Sequence, residues 1–245
     1  MATICCRGHI FENIQAVLFD KDGTLADVEA YLIALGRSRA QMIAERVRDL
    51  PDGLLLAFGQ QGNAIAPDGL MAVGSRDETK VAAAAYVAAA GIGWIAALNV
   101  VESAFQQAKG QLPLKVSQTP PLKGTSELLT QLEQAGVKLA IVSSDTHQEV
   151  AAFITHYQLT EISWYCGAQA LTLPKTDPNF LTFACEAMAI SPAETLVIGD
   201  SAADFALARR GAAGFIAMTG GWQRSPVIEG AATTAQSLRQ VEVFR

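Results

Sequence analysis

Residues Ala16 to Leu25, Ala-Val-Leu-Phe-Asp-Lys-Asp-Gly-Thr-Leu, constrain the fold more than any other stretch of the chain. Four apolar residues in succession, Ala16 to Phe19, predict a strand buried on both faces, and Gly23 predicts a sharp turn soon after it. Asp20 and Asp22 stand at the carboxyl end of that strand, where open α/β sheets gather their chemistry. In an extended segment positions two apart point the same way, so both carboxyl groups are expected to face one pocket. Two acids that close raise one another's pKa unless a cation or a shared proton lies between them. A plain surface turn also uses Asp and Gly, but it has no need of an apolar strand feeding it.

From about residue 119 onward helical and strand patterns alternate. Helices are expected over 126–135, 147–157, 178–189 and 202–210, the last closed by Gly211, with strands over 138–142, 162–166, 195–198 and 215–218. This is an α/β pattern, predicting a Rossmann-like three-layer core whose parallel sheet is covered on both faces. A further strand-like stretch lies near Ile10 to Ile14. Residues 26–118 differ: their periodicity is helical, broken at Pro51-Asp52-Gly53 and Ala66-Pro67-Asp68-Gly69, and no convincing strand alternation interrupts it. The expected division is a core of 1–25 with 119–245 and an inserted all-helical domain of 26–118, ended by the proline-rich crossing Thr119-Pro120-Pro121-Leu122-Lys123-Gly124.

Val81 to Leu98 has no charge and is long enough to span a bilayer. Most of it is alanine, however, Gly91 and Gly93 interrupt it, and no basic cluster flanks it, so two closely packed Ala-rich helices, about Asp77 to Ala90 and Gly93 to Lys109, are expected instead. The formal net charge of −6 offers no general field for nucleic acid or an anionic membrane, so any anion must be bound locally. Cys5, Cys6, Cys166 and Cys185 lack metal-ligand spacing and fit a reduced compartment, and Met1 to Ile10 has no apolar core of the signal-peptide kind. A cytoplasmic protein is the expectation.

The other strand ends converge on the same crevice. One delivers Ser143-Ser144-Asp145, whose hydroxyls and backbone N–H groups suit a phosphate oxygen or, equally, a helix cap. Another delivers Gly199-Asp200-Ser201-Ala202-Ala203-Asp204, in which Asp200 and Asp204 can point to one hard cation of the magnesium kind, or Asp204 can simply cap a helix. Between them Lys175 stands in a proline-bracketed loop, where a lysine is either solvated or turned to the crevice.

Asp20-x-Asp22-Gly23-Thr24, Ser143, Lys175 and Gly199-Asp200-Ser201-x-x-Asp204, in that order and with a helical insert after the first, resemble the haloacid dehalogenase superfamily, in particular its phosphoglycolate phosphatase-like branch with an α-helical cap. Pro121-Leu122-Lys123-Gly124 resembles the same branch. Two features depart from it: Lys175 is followed by Thr-Asp-Pro where relatives usually have prolines, and Ser143-Ser144 stands where many have Thr-Asn.

The resemblance implies a Mg²⁺-dependent phosphatase that acts on small phosphorylated metabolites, phosphoglycolate- or sugar-phosphate-like monoesters, through an aspartyl-phosphate. Asp20 would be the nucleophile and Asp22 the general acid and base. Asp20, the main-chain carbonyl of Asp22, and Asp200 would hold Mg²⁺, with Asp204 supporting the metal or orienting Lys175. Lys175 and Ser143, aided by N–H groups near Gly23 and Ser144, would take phosphate oxygens, while Thr24 fixes the turn. Asp22 favours phosphate esters over halides, because a halide leaving group needs no proton. Phosphoglucomutase-like transfer retains both aspartates and stays open, as does a non-catalytic sensor of a phosphorylated ligand. The cap, hinged near residues 25–27 and 117–121, would close over the site. Its candidates for substrate contact are Arg37, Arg39, Arg76, Lys80 and Trp94. The plainer reading makes Arg76, Asp77, Glu78 and Lys80 an exposed, mutually screened helix start and Trp94 a core residue. No nucleic-acid or membrane partner is expected, and the chain would be a monomer or homodimer.

Overall fold

Ala16–Phe19 is buried at every position, as its uninterrupted apolar sequence requires, in the computed structural model, which describes residues 1–168 and 173–245. In chain order, β1 (Ala2–Cys6) and β2 (His9–Ile14) precede this strand, β3 (Ala16–Phe19). Next come α1 (Glu29–Ala44), α2 (Leu54–Ala57), the two-residue strands β4 (Gln60–Gln61) and β5 (Ala64–Ile65), α3 (Leu70–Val73), α4 (Arg76–Ala89), α5 (Trp94–Gln111) and α6 (Lys115–Gln118). The remainder forms α7 (Thr125–Gln134), β6 (Lys138–Thr146), α8 (His147–His156), β7 (Ile162–Ala168), α9 (Phe180–Met188), β8 (Thr195–Gly199), α10 (Ala202–Ala208), β9 (Gly214–Met218), β10 (Thr233–Ala235) and β11 (Val241–Phe244). The chain divides into two compact units, Met1–Val28 with Thr119–Arg245, and Glu29–Gln118.

In the first unit a six-stranded sheet runs β10-β9-β8-β3-β6-β7, every neighbouring pair parallel. β8 and β6 flank β3, so the strand order changes direction there and a crevice is expected at its carboxyl end. Phe19 lies level with Ile198 on one side and Ile141 on the other, which brings the residues that follow each strand out side by side. Leu18, Val142, Val197 and Phe215 pack on one face with Phe180, Leu181, Met188 and Leu207 from α9 and α10. Alternation turns Phe19 and Ile141 the other way, and α7 and α8 bury Leu128, Leu132, Val150 and Phe153 while packing on β6.

Three features of this unit differ from the expectation. The strand-like stretch at 10–14 begins at His9 and joins β1 and β11 in an antiparallel sheet of order β11-β1-β2. β1 turns Ala2, Ile4 and Cys6 inward, a period-two pattern too short and too small in side chain to stand out from sequence. β10 adds an edge strand to the parallel sheet, and β6 runs to Thr146 because it keeps pairing with β7, Thr146 opposite Ala168, across a register shift. Ser143, Ser144 and Asp145 therefore lie on a strand extension, and Thr146 is the cap of α8, its hydroxyl accepting from Glu149 N.

The second unit is helical except for the β4–β5 hairpin, which corrects the all-helical expectation. Gly62 turns the hairpin with φ +62°, and the buried carboxylate of Glu29 accepts Ile65 N at 2.8 Å, a contact from distant sequence that local periodicity does not reveal. α4 and α5 bury Ala83, Ala84 and Val87, and Ala97, Val101, Ala104 and Ala108, small side chains that let two helices approach closely. Ser75 and Glu78 close a capping box at the start of α4. Arg39 is buried with its guanidinium 4.2 Å from the Phe105 ring centre. Trp94 is 46% exposed, so its assignment to the core is corrected. No helix among the described residues is long and apolar enough to cross a membrane.

The central position of β3 makes its packing decisive for the first unit. Leu18→Ala is expected to lower unfolding stability by about 2–5 kcal/mol, read as a reduced urea midpoint at unchanged slope, because the rigid sheet cannot collapse into the space left.

Candidate active site

Asp20 is the first residue past β3, and its N–H donates to Ile198 O at 2.9 Å, which ties it to β8. The chain then turns back: Leu25 N and Ala26 N both donate to Lys21 O at 2.8 Å, and Gly23 N donates to Ala26 O at 3.0 Å. Gly23 has φ +81°, and a Cβ there would run into the Trp222 ring and stand 2.6 Å from Asp200 Oδ2. Backbone conformation and space both demand glycine.

Asp200 is the first residue past β8. Thr24 Oγ1 donates to its Oδ1 at 3.1 Å and Trp222 Nε1 to its Oδ2 at 2.6 Å, so two neighbouring chain segments aim the carboxylate. Asp204 sits in the first turn of α10. Its Oδ2 accepts Ser201 N at 3.0 Å and Ser201 Oγ at 2.6 Å, which turns Oδ1 to the Lys175 ammonium at 2.6 Å. That approach needs Gly199, where a Cβ would stand 2.6 Å from Asp204 Oδ2. Lys175 reaches in from its loop: Nζ lies 2.5 Å from Asp20 Oδ1 and donates to Val142 O at 3.1 Å. The structure thus brings Asp20, Lys175, Asp200 and Asp204 together, with Asp204 directly on the lysine.

Ser143 is buried beside the carbonyl that Lys175 uses, and its Oγ accepts Asp145 N at 3.1 Å, while Ser144 is exposed. Asp22 does not stand freely in the crevice beside Asp20. Its Oδ1 pairs with the ammonium of Lys21, which also lies 2.8 Å from Asp145 Oδ2. Asp22 is close enough for its charge to add to the upward push on Asp20. In the helical unit Lys80 pairs with Asp77 at 2.8 Å and Glu102 at 2.9 Å, Arg76 with Glu102 at 3.3 Å, and Arg37 donates to Gly62 O at 2.9 Å. Arg76, Asp77, Lys80 and Glu102 thus screen one another where α4 begins.

Charge in the buried cluster is unbalanced. Burial pushes Asp20 up to about 7, opposed by the Lys175 charge and reinforced by Asp204. Burial likewise raises Asp200 well above the carboxylate range, with Asp20 and Asp204 adding to it and the Trp222 hydrogen bond opposing. Burial alone would pull Lys175 down, but Asp20 and Asp204 outweigh it and hold the ammonium protonated. One ammonium therefore serves three carboxylates, and ligand oxygens of Asp20, Asp200 and Asp204 lie within 4.8 Å of one another. A hard divalent cation fits this oxygen-only, negatively charged set and would relieve the repulsion that raises Asp20 and Asp200.

The comparisons with known proteins agree with this geometry. A family model described as haloacid dehalogenase-like hydrolase matches residues 14–211, most of the chain, including every residue of the cluster. The chain belongs to the haloacid dehalogenase-like hydrolases. A phosphoglycolate phosphatase of Pseudomonas fluorescens is 24% identical over 223 residues, 87% of this chain and 72% of that one. With a probable phosphoglycolate phosphatase of Pseudomonas putida the likeness, 25% over 100 residues, spans 40% of each chain. The crystal structure of a predicted phosphoglycolate phosphatase from Haemophilus somnus superposes with a TM-score of 0.70 at 18% identity, covering 92% of this chain and 95% of that one, and so shares the fold.

Two contributors to this hydrolase site escaped sequence reading. Trp222 follows the carboxyl end of β9 in Gly220-Gly221-Trp222, and glycines at a strand end are the signal that could have marked it. Lys21, buried between Asp22 and Asp145, carries no local signal of its own, because its second partner comes from a distant strand.

A raised carboxyl pKa means that the folded protein binds its proton more tightly than the unfolded chain, so stability falls as pH rises between about 4 and about 7 and then levels. In chelator, the melting temperature is expected to drop across that window, and a divalent cation should restore it at pH ~7.5 but do little at pH ~5; a flat profile would contradict the charge imbalance. Trp222→Phe, which removes the donor to Asp200, should weaken cation affinity by about 10–100-fold in a titration followed by the same melting shift.

Proposed function

We propose that the chain is a Mg²⁺-dependent phosphatase of small phosphorylated metabolites, phosphoglycolate- or sugar-phosphate-like monoesters, working through an aspartyl-phosphate on Asp20. The observation that carries this reading is the buried Asp20 carboxylate, paired with Lys175, with a second acid two residues on and Asp200 and Asp204 beside it. The phosphoglycolate phosphatases among its relatives support the substrate class.

Asp20 attacks phosphorus and displaces the alkoxide, which splits one difficult displacement into two easier ones. Asp22 gives its proton to the departing alkoxide oxygen as the P–O bond breaks. In the second step Asp22 takes a proton from water as that water attacks the phosphorus of the aspartyl-phosphate, freeing inorganic phosphate and the Asp20 carboxylate. Lys175 steadies Asp20 and, with Ser143 and N–H groups near Gly23 and Ser144, receives phosphate oxygens. Asp204 holds Lys175 in place through their ion pair. Asp20, the Asp22 main-chain carbonyl and Asp200 would hold Mg²⁺, with Asp204 in support; when bound it neutralises charge on the transferring phosphoryl group.

Purified protein is expected to release phosphate from a panel of small monoesters with Mg²⁺ and not with chelator. Asp20→Asn should reduce kcat below detection, and Lys175→Ala by at least about 100-fold, at unchanged folding by circular dichroism. Absence of release from every ester by folded, Mg²⁺-binding protein would reject hydrolysis, and transfer between sugar phosphates would be assayed next.

A further inference from the structure

A cleft of about 400 Å³, within the size range of small-molecule sites, opens between β2 and α10. The strand register puts it at the amino end of the parallel sheet. Gly214, on its floor, pairs with Leu196, and Ala213 N donates to Thr195 O at 2.9 Å, whereas Asp20 and Asp200 follow the carboxyl ends of β3 and β8. Ala212, Ala213 and Gly214 have little or no side chain, so the floor is low. Two rings flank it. Phe11 of β2 lies against Gly214, where a Cβ would overlap it, and the His9 imidazole stands 4.7 Å from the Phe11 ring centre. Phe205 of α10 stands 5.4 Å from Phe215, with the Arg209 guanidinium 6.0 Å from the Phe205 ring centre. Glu12 and Arg209, opposite in sign, line the cleft from β2 and α10, yet among the described residues neither side chain has an ion pair or a hydrogen bond, with the other or with any third group.

We propose that this cleft is a second ligand site, separate from the carboxyl edge of the sheet, and that it binds an aromatic α-amino acid. A flat ring fits over the alanine and glycine floor, with the Phe11 and Phe205 rings beside it in the offset or edge-on contacts that aromatic groups favour. The ligand carboxylate meets the forked donors of Arg209, and its ammonium meets the carboxylate of Glu12. A zwitterion answers both charges at once. A plain aromatic acid would leave Glu12 facing an anion, and a plain aromatic amine would leave Arg209 facing a cation. An aliphatic amino acid would satisfy the charges but forgo the ring contacts. Glu12 and Arg209 are both exposed, so each ion pair is weak in water and screened by salt. Burial of the ring therefore supplies most of the affinity, and the two charges supply the selection.

Calorimetric titration of the full chain with L-phenylalanine and with L-tryptophan is expected to give one site with a Kd of about 0.1–1 mM for at least one of them. The tighter of the two is then compared with three relatives. 3-Phenylpropanoate, without the ammonium, and 2-phenylethylamine, without the carboxylate, should bind about 3–10-fold more weakly, and L-leucine, without the ring, at least about 10-fold more weakly. Arg209→Gln and Glu12→Gln should each cost the amino acid about 3–10-fold. Ala232→Phe, which fills the cleft from an exposed position on its lining, should abolish binding at unchanged circular dichroism. Asp20→Asn, at the opposite end of the sheet, should leave the affinity as it is. No binding of either amino acid at about 10 mM, relatives that bind as tightly, or undiminished binding in Ala232→Phe would overturn the proposal, and so would loss of binding in Asp20→Asn, which would put the amino acid at the carboxyl edge. Should Ala232→Phe fail to fold, Arg209→Gln and Glu12→Gln decide: wild-type affinity in both overturns the site, and weakened binding supports it. Phosphate release enters none of these measurements, so failure of the proposed hydrolysis and failure of this site are read apart.

Discussion

Burying carboxylates costs several kcal/mol each unless positive charge or hydrogen-bond donors stand close by, and this requirement shapes the carboxyl edge of the parallel sheet. Asp20 and Asp204 share the ammonium of Lys175, and Asp200 stands beside them. The remaining compensation comes from oriented donors: Thr24 and Trp222 on Asp200, and Ser201 on Asp204. Each donor requires a particular local backbone. Thr24 and Trp222 meet at Asp200 only because Gly23 adopts a positive φ with no side chain, and Asp204 reaches Lys175 only because Gly199 leaves it room. The two glycines are thus electrostatic devices as much as conformational ones.

Even so the cluster is short of positive charge, and the upward displacement of Asp20 and Asp200 expresses that shortage. A protein that retains such an arrangement keeps its site in tension at neutral pH, which is the condition under which a divalent cation or a charged ligand gains most from entering. The same edge carries a second ionic group, Asp22, Lys21 and Asp145, with its own buried cation. Two acids separated by one residue are therefore served by two different lysines.

The helical unit obeys a different physics. Its two long helices bury mostly alanine and valine, so close approach replaces bulk, and Phe58 and Phe105 supply the aromatic filling with the Arg39 guanidinium on the Phe105 ring. Its charged candidates, Arg76 and Lys80, are engaged with Glu102 on a neighbouring helix. Charge on this unit is mostly exposed and mutually screened, in contrast to the buried ions of the sheet unit.

The motif strand, the α/β alternation, the helical character of the insert and the identities of Asp20, Lys175, Asp200 and Asp204 were all legible in the amino-acid sequence. Each is written in local pattern: an apolar run, a period, a turn residue, an acid at a strand end. Ser143 was legible as a strand-end hydroxyl, though not as part of a strand that continues to Thr146. What local pattern could not contain is the set of partners. Lys21 with Asp145, Trp222 with Asp200, Glu29 with Ile65, and β1 with β11 join residues far apart in the chain, and none of these pairings leaves a periodic trace. Sequence by itself determined which groups were available at the edge of the sheet. Only the tertiary structure decided which cation faces which acid, because burial and distance, on which the energy of a charge depends, are set by segments that meet across the fold.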